Sequence, residues 1–388
     1  MSQVEMTRNH SSQSAQSKAK NKRLLSVDAL RGFDMFWIMG AEGLFAALFI
    51  ITGWGIFSTF DAQMKHAVWH GFTAYDLIFP LFIFLSGVSI GIAAKPFNRY
   101  SPSQQKQQYQ HAFKRLGLLM LFGVIYNHGW GVGAPADPEE VRYASVLGRI
   151  GIAWFVAILL VWHVSIRGQW IVVVSILLGY WALLATVSIG QYGAGDYSAT
   201  GVLNIWFDQH LLPGATYRNA PMDPEGILSN IPSIVNALAG VFIGRYLKAC
   251  QHEPQRLFSQ LIAIGVFCVV VGLLWNNYFP INKSLWTSSF VFVTVGYSIL
   301  LLAFFYLIID VLQFQRWAKF FAVIGMNSII IYLSASIVNW KFTANSLVGG
   351  IVTSLPAGWS ELLLISCTLL LQWLVLLWLY KRKIFIKV

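Results

Sequence analysis

Charged residues are scarce in this chain. Of its 388 residues only 11% are charged, whereas 56% are hydrophobic and the mean hydropathy is +0.60. Soluble globular domains carry about 25% charged residues, so this composition excludes an ordinary soluble protein. Apolar runs of roughly 20 residues recur along the chain, and each is long enough to cross a bilayer as a helix. Because these runs are continuous rather than alternating, the sequence predicts an all-α, polytopic helical membrane protein.

Cysteine is also rare. Cys250, Cys268 and Cys367 are odd in number, far apart, and in or beside apolar segments. This pattern excludes a disulfide framework and a spaced metal-binding motif. Acidic residues number 16 against 27 basic ones, but the basic residues form short clusters between apolar runs. The clusters therefore indicate membrane topology rather than a nucleic-acid partner.

The first 23 residues lack the apolar core of a cleavable signal peptide. They are polar, rich in Ser and Gln, and end in KAKNKR. We expect residues 1–23 to be a disordered cytoplasmic tail and residues 24–388 to form one transmembrane domain.

About ten transmembrane helices are predicted from the apolar runs, with the lipid bilayer as their partner. The candidate spans are 33–53, 75–95, 114–130, 146–164, 169–188, 229–248, 257–275, 286–309, 319–338 and 361–380. Lys and Arg cluster in every second loop and at both ends of the chain. Since basic loops remain in the cytoplasm, both termini are predicted to be cytoplasmic and the long, acid-bearing loops to lie outside.

A pair of histidines precedes the second span, in the stretch HAVWHGFTAYDLIFPLFIFLSGVSI at residues 66–90. His66 and His70 are four apart, so on a helix they would share one face. Asp76 follows at the start of the apolar run, and an imidazole titrates near neutral pH, so we predict that this group is catalytic. Asp76 either orients an imidazole or caps the second helix. Zinc is not expected at the pair, because the chain has no nearby HExxH motif and no third ligand from Cys.

Seven blocks resemble, in order and over nearly the whole chain, the heparan-α-glucosaminide N-acetyltransferase family. They are LLSVDALRG (24–32), the stretch 66–90, SVLGRIG (145–151), DPEGIL (223–228), PINKSLWTSSFV (280–291), IGMNSIIIYL (324–333) and YKRKIFIKV (380–388). The seven blocks together are a specific indication of this family, although one block alone is not. The resemblance implies a compact bacterial member without the large lumenal N-terminal domain of the lysosomal enzyme.

The resemblance also implies a reaction. The lysosomal family member moves acetyl groups from cytosolic acetyl-CoA to the terminal glucosamine of heparan, and its catalytic histidine lies in an HxxWxG block. In this chain the block is residues 66–71, so the resemblance implies that His66 is the catalytic histidine. Asp76 in DLIFP is similar to the family's Asp in DLVFP. His70 and Glu42 stand where the lysosomal enzyme has Asn, which affects the choice of acceptor rather than the reaction class.

For this chain, the resemblance implies acetyl transfer to glucosamine or a glucosamine-terminated glycan on the periplasmic side of a bacterial inner membrane. Acetyl-CoA would be the co-substrate and no metal is expected. The transfer needs a base for the attacking amine and donors for the oxyanion. His66 is either a general base in a ternary complex or a nucleophile that carries the acetyl group, and the sequence leaves both open.

Five polar residues are predicted to bind the acceptor, beside the catalytic group. Asp223 and Glu225 either cap the sixth span or bind the ammonium or hydroxyls of a sugar. Lys283 and Trp286 in NKSLW are either interfacial anchors or contacts to sugar or cofactor, together with Asn282.

Glu42 is a further acceptor candidate. It shares a helical face with Asp34 about halfway through the first span, so it either hydrogen-bonds a neighbouring helix or lines a substrate path. Arg149 must find an anion or carbonyls, and Asp76, Glu42 and the cofactor are its candidate partners.

Three other residues are grouped with Arg149 as cofactor contacts. Asn127 and His128 lie at the outer end of the third span, and Asn327 lies in GMNS, where small residues also predict close helix packing.

Two rival functions remain. An amino-sugar transporter would also need a polar path across the bilayer, but it predicts inverted repeats, and the sequence shows no convincing ones. An O-acyltransferase of an envelope glycan would keep the histidine and the acyl-CoA path but accept a hydroxyl. A homodimer is among the candidate assemblies.

Overall fold

Fifteen α-helices make up nearly all the regular structure within residues 24–129 and 133–385, the parts of the chain that this computed structural model describes. They are α1 (Leu25–Ile38), α2 (Leu44–Thr52), α3 (Gly55–Gln63), α4 (Ile78–Ala93), α5 (Pro102–His128), α6 (Val146–His163), α7 (Ile166–Thr186), α8 (Asn204–Leu211), α9 (Ile227–Ala249), α10 (Pro254–Trp275), α11 (Ser288–Tyr306), α12 (Ala318–Met326), α13 (Ser328–Ile337), α14 (Trp340–Val352) and α15 (Trp359–Lys381). A short hairpin of β1 (Ser188–Ile189) and β2 (Tyr192–Gly193) follows α7. The predicted tail, residues 1–23, lies outside the described residues.

Among these helices, seven are long and apolar enough to cross a membrane. They are α4 with its preceding turn, α6, α7, α9, α10, α11 with its continuation to Val311, and α15. Two bent pairs, α1 with α2 and α12 with α13, raise the number to nine if each pair is one span. The remaining predicted span, 114–130, falls in α5, whose N-terminal half is polar. The predicted all-α, multi-pass membrane fold is confirmed.

Helices α4 and α9 form the tightest pair in the core. A β-carbon at Gly87 or Gly91 of α4 would overlap carbonyl oxygens of α9, and one at Gly240 or Gly244 of α9 would overlap those of α4. Small residues let the two backbones approach this closely. Since Asp76 precedes α4 and the DPEG turn precedes α9, the glycine contact fixes the relative positions of these two site segments.

Both bent pairs break inside an apolar stretch. The chain turns by 66° between α1 and α2, where Gly40 has a φ of 115° and Glu42 lies in a single 3-10 turn. It turns by 67° between α12 and α13, at Asn327. Irregular backbone at membrane depth is tolerated where it is buried in protein or lines a cavity.

One end of the bundle carries basic side chains from several helices. Arg245 of α9 donates to Gln169 of α7 at 2.8 Å, and Lys248 of α9 donates to the carbonyl of Ile92 in α4 at 2.9 Å. We call this the basic end. His66 lies at the opposite end of α4 from Ile92.

Candidate active site

His66 and Asp76 contact each other at the start of α4. The segment between α3 and the 3-10 turn Ala74–Leu77 is irregular, and it returns His66 to the turn that carries Asp76. The His66 Nδ1 atom lies 2.7 Å from Asp76 Oδ1. The Asp76 side chain is 1% exposed, whereas that of His66 is 51% exposed. A buried carboxylate therefore holds an imidazole whose other edge is accessible.

The second oxygen of Asp76 accepts three hydrogen bonds from the surrounding loop. Its donors are the backbone N–H of Ala67 at 3.2 Å, the backbone N–H of Thr73 at 3.2 Å and the Thr73 hydroxyl at 3.0 Å. Asp76 thus caps the helix start and also orients His66, so both predicted roles are present in one side chain.

The pairing with Asp76 determines the tautomer of His66. A carboxylate in this network only accepts hydrogen bonds, so the Nδ1 atom of His66 carries the proton. The lone pair that can accept a proton from a reacting group is then on Nε2. This is the geometry of a general base held by a carboxylate.

Lys283 completes the group from the distant loop before α11. Its Nζ atom lies 3.0 Å from His66 Nδ1, 3.2 Å from His66 Nε2 and 3.6 Å from Asp76 Oδ1. Burial lowers the pKa of Lys283, while the negative charges of Asp76 and Glu225 oppose that shift. The ammonium thus lies where it balances the negative charge of Asp76.

His70 does not join this group, because residues 66–71 are not helical and the two imidazoles do not share a face. The Asn282 side-chain amide donates to His70 Nδ1 at 3.3 Å and to the carbonyl of Trp69 at 3.0 Å. Burial lowers the pKa of His70. Asn282 therefore supports the irregular segment 66–71. Neither Asn282 nor His70 lines the cavity beside His66.

A cavity of about 390 Å³ opens beside His66, and we call it the His66 cavity. Seven of the thirteen predicted site residues line it: His66, Asp76, Asn127, Arg149, Glu225, Lys283 and Trp286. The structure thus brings together side chains from five separate parts of the chain around one space.

Arg142 was missed by the sequence analysis, yet it organises the far wall of the His66 cavity. Its guanidinium donates twice to Asp223, at 2.8 Å each, and once to Glu225 at 2.5 Å. Burial alone would raise the pKa of Asp223, but the hydrogen bonds and charge of Arg142, together with the backbone N–H donors of Glu225 and Tyr217, lower it. The sequence offered one indication of this role: Arg142 is an arginine in a loop predicted to lie on the acidic side of the membrane.

Asn127 and His128 both hydrogen-bond to Arg142. The Asn127 amide donates to the carbonyls of Arg142 and Ala144 at 2.9 Å each, and His128 Nε2 accepts from the backbone N–H of Arg142 at 3.0 Å. Asp208 on α8 was also missed. It accepts from the backbone N–H of Asp223 at 3.1 Å, and burial raises its pKa to about 6.

Arg149 contacts neither Asp76 nor Glu42, its predicted carboxylate partners. Its guanidinium donates to the carbonyl of Pro224 at 2.7 Å and to the hydroxyl of Ser229. It also lies 4.6 Å from the centre of the Trp286 ring. Carbonyl and hydroxyl partners meet the requirement for a buried arginine, so Arg149 ties the DPEG turn to the indole.

Two other predicted residues lie at the helix breaks. Glu42 is partly buried, and its Oε2 atom is without a hydrogen-bond partner among the described residues. Asn327 donates to the carbonyl of Ile384 at 3.2 Å, towards the basic end. Neither Glu42 nor Asn327 lines the His66 cavity.

A second cavity of about 360 Å³ lies next to the first, and we call it the Arg115 cavity. Arg31 and Arg115 line it, together with residues adjoining Asn327. A third space of about 490 Å³, the Trp162 cavity, shares Ser89 and Arg115 with it and is also lined by Lys95. Each of the three spaces thus shares lining residues with the next, from Lys95 to His66.

No group of three or more His, Cys, Asp or Glu residues within 24–129 and 133–385 is arranged to hold a metal ion.

Replacing Arg142 is expected to destabilise the loop assembly. Arg142→Met leaves the fully buried Asp223 carboxylate without its cation, a change that typically costs about 3–5 kcal/mol. The thermal midpoint of the detergent-solubilised protein should therefore fall by several degrees. Adding Asp223→Asn to Arg142→Met removes the uncompensated charge and should restore part of the loss. Equal midpoints for Arg142→Met and the unmodified protein would contradict this role.

Comparison with known proteins gives a consistent result. The heparan-alpha-glucosaminide N-acetyltransferase of Homo sapiens is 28% identical over 383 residues, covering 83% of this chain and 55% of that protein. The Mus musculus protein of the same name is 26% identical over 379 residues, covering 84% of this chain and 55% of its own length. A Kluyveromyces lactis protein, GPI-anchored wall transfer protein 1, is 23% identical over 164 residues, or 41% of this chain and 37% of that protein.

No family model matches the chain. The chain spans only 55% of the length of the two N-acetyltransferases. The match nevertheless covers most of the chain in two proteins of one name, which confirms the resemblance noted in the sequence. Over most of its length the chain is similar to the heparan-α-glucosaminide N-acetyltransferases.

Proposed function

We propose that this protein is an acetyl-CoA-dependent N-acetyltransferase that works across a bacterial inner membrane. The acetyl group would come from cytosolic acetyl-CoA and pass to the amine of glucosamine or a glucosamine-terminated glycan on the periplasmic side. One observation carries the proposal: a carboxylate-held imidazole lines a cavity that shares its wall with the Arg115 cavity, which in turn shares Ser89 and Arg115 with the Trp162 cavity.

The basic end suits the donor. Acetyl-CoA carries phosphates and an adenine on a long, narrow arm. Arg31, Arg115 and Lys95 would bind the phosphates, because guanidinium and ammonium groups pair well with them. The Nε atom of Arg115 is buried without a hydrogen-bond partner among the described residues, as expected of a cation that awaits an anion. Trp162 supplies an aromatic face for the adenine.

The His66 end suits the transfer. Acetyl-CoA supplies the activated acetyl group as a thioester. His66 Nε2 takes a proton from the attacking amine as the new C–N bond forms. The C–S bond then breaks, and the proton held by His66 passes to the thiolate, so that the products are an amide and free CoA thiol. Lys283 lies close enough to donate to the developing oxyanion.

The acceptor is expected to bind on the Arg142 side of the cavity. Glu225 lines the His66 cavity and would accept hydrogen bonds from the sugar hydroxyls, while the neutral amine faces His66. Trp286 lies on the same wall, with the guanidinium of Arg149 over its ring. Arg142 and Arg149 are buried supports of that wall rather than direct contacts of the reacting atoms.

Purified protein tests the proposal directly. Radiolabelled acetyl-CoA is supplied with glucosamine, with N-acetylglucosamine as a hydroxyl-only control, and with a glucosamine-terminated disaccharide. We expect labelled amide from glucosamine or the disaccharide and none from N-acetylglucosamine. Label on N-acetylglucosamine would favour the O-acyltransferase. Glucosamine uptake by proteoliposomes without acetyl transfer would favour the transporter.

The proposed orientation predicts a labelling pattern. In a background with the three native cysteines replaced, Lys65→Cys and Thr200→Cys should react with an impermeant thiol reagent added to intact cells. Gln107→Cys, on the polar half of α5, should react only after the cells are opened. All three positions are exposed, so their accessibility within the fold does not differ. The reverse pattern would contradict the orientation.

A further inference from the structure

We propose that the side chains between the His66 and Arg115 cavities select the acyl donor by the width of its acyl group. The inference rests on the proposed function, because it concerns how the thioester reaches His66. Four of the described residues line both cavities: Ile38, Phe79, Val146 and Tyr332. We call these four residues the waist. An acyl group that moves from the Arg115 cavity to His66 would pass between these side chains, so their separation would limit which groups are transferred.

The waist is built from four different helices. Ile38 ends α1, Phe79 lies in the first turn of α4, Val146 begins α6 and Tyr332 lies in α13. None of these side chains is charged, so the waist offers no binding site for the phosphates of CoA. It suits the uncharged cysteamine and β-alanine portion of the donor, which is unbranched and narrow.

Phe79 is a fixed side of the waist. It is 6% exposed and packs edge-to-face on Trp286 with the ring centres 5.0 Å apart. Trp286 is itself fully buried and donates to Asn236 at 2.9 Å. Close packing on this wall leaves Phe79 little freedom to move.

Tyr332 and Ile38 adjoin the two helix breaks. Ile38 immediately precedes the turn at Gly40, and Tyr332 lies five residues after Asn327. Tyr332 stacks on Tyr126 of α5, with ring centres 4.2 Å apart and an angle of 14° between the rings. The stack holds the phenol ring at the boundary of both cavities. Tyr332 is therefore the large side chain whose removal most directly widens the passage.

A waist of this kind distinguishes branched from linear acyl groups. Acetyl and n-butyryl groups are no wider than the unbranched arm that follows them. An isobutyryl group is branched beside the thioester carbonyl and is wider at that point. In every case the transfer is the same: the C–S bond breaks, a C–N bond forms, and the proton from the amine passes through His66 to the thiolate. We therefore expect the unmodified protein to discriminate against isobutyryl-CoA more than against n-butyryl-CoA.

Widening the waist tests the inference. Tyr332→Ala should raise the ratio of kcat/KM for isobutyryl-CoA to that for acetyl-CoA by about tenfold or more, the scale on which a pocket discriminates single carbon groups. The ratio for n-butyryl-CoA should change less. Phe82→Ala is the matched control, since Phe82 lines the Arg115 cavity only and its loss should affect all donors alike. An isobutyryl ratio in Tyr332→Ala within twofold of the unmodified value would overturn the inference.

Narrowing the waist gives a second test that does not depend on Tyr332. Val146→Phe adds an aromatic ring to the passage and should lower kcat/KM for acetyl-CoA by at least tenfold. The truncated thioester S-acetyl-N-acetylcysteamine lacks the nucleotide and can enter the His66 cavity from its open side, so its use should be nearly unchanged. Equal losses with both donors would overturn the inference.

These outcomes distinguish a failure of the waist inference from a failure of the proposed function. Ratios of two donors measured on one preparation do not depend on how much protein is folded, and the truncated thioester reports an intact His66 site. If the unmodified protein transfers acetyl from neither donor to glucosamine, the proposed function fails and the waist inference fails with it. If it acetylates glucosamine but both waist variants keep the unmodified ratios, only the waist inference is overturned.

Discussion

His66→Ala is expected to lower kcat by about 100- to 10,000-fold, the range for loss of a general acid–base group. The Nε2 atom is the acceptor that Asp76 leaves unbonded, and His66 lines the cavity where the amine and the thioester would meet in the proposed reaction. CoA binding should persist, because the cations proposed to bind the phosphates lie beyond the waist in the Arg115 and Trp162 cavities. The measurements are steady-state acetyl transfer and CoA binding by calorimetry on the same preparations.

His70→Asn is the matched control for this prediction. Asn282 donates to His70 Nδ1, and an asparagine oxygen accepts the same hydrogen bond. Turnover should therefore fall by less than about tenfold. Near-normal turnover in His66→Ala, together with loss of turnover in His70→Ala, would show that the base is the other histidine.

The His66 variant also separates the two routes that the sequence left open. In a ternary complex, radiolabelled acetyl-CoA without acceptor leaves no label on the protein. If His66 carries the acetyl group, label appears on the unmodified protein, is absent from His66→Ala and is released by glucosamine. The loss of turnover in His66→Ala would then exceed the range expected for a base.

Continuous apolar runs were enough to predict the membrane class and most of the spans. Each run falls within the range of about 17–25 residues that spans a bilayer as a helix, and the backbone has few other ways to satisfy its hydrogen bonds there. The two helix breaks were not predicted. Gly40 and Asn327 lie in apolar stretches that keep their hydropathy across the bend. Hydropathy measures composition, whereas a bend depends on packing against neighbouring helices.

The contact between His66 and Asp76 was within reach of the sequence because only ten positions separate the two residues. Lys283 was singled out as a site residue, but its contact with His66 spans 217 positions. No local pattern encodes a separation of that length. The contact between Lys283 and His66 follows from the packing of α11 beside α4. Only the structure therefore shows how the ammonium approaches the two ring nitrogens of His66.

Arg142 and His70 illustrate opposite errors. His70 was placed beside His66 by helical spacing, but the segment is irregular, so the spacing carries no meaning there. Arg142 was not selected because its motif, DPEEVRY, belongs to no recognised block, although it binds two acids that were selected. A buried acid pair requires a cation, and that requirement was the physical argument available for Arg142.

Asp76→Asn is expected to lower kcat by about 100- to 10,000-fold while leaving the fold intact, because it reverses the tautomer of His66. The asparagine side chain has one acceptor, and three donors from Ala67 and Thr73 converge on the Asp76 Oδ2 position. Its oxygen should therefore face those donors, which turns the amide NH2 towards His66 Nδ1. Nδ1 must then accept, Nε2 carries the hydrogen, and the base loses its lone pair.

Thr73→Ala is the control for the Asp76 substitution. It removes one donor to Asp76 Oδ2 but leaves the carboxylate and its bond to His66, so it should lower kcat by less than about tenfold. Asp76→Asn also removes the carboxylate beside the Lys283 ammonium, so its thermal midpoint should fall, and kcat is measured below that midpoint, where the variant is folded. The KM for glucosamine should change little, because the tautomer affects proton removal rather than binding. A kcat within fivefold of the unmodified value in folded Asp76→Asn would mean that Asp76 only caps the helix and that the orientation of His66 is set elsewhere.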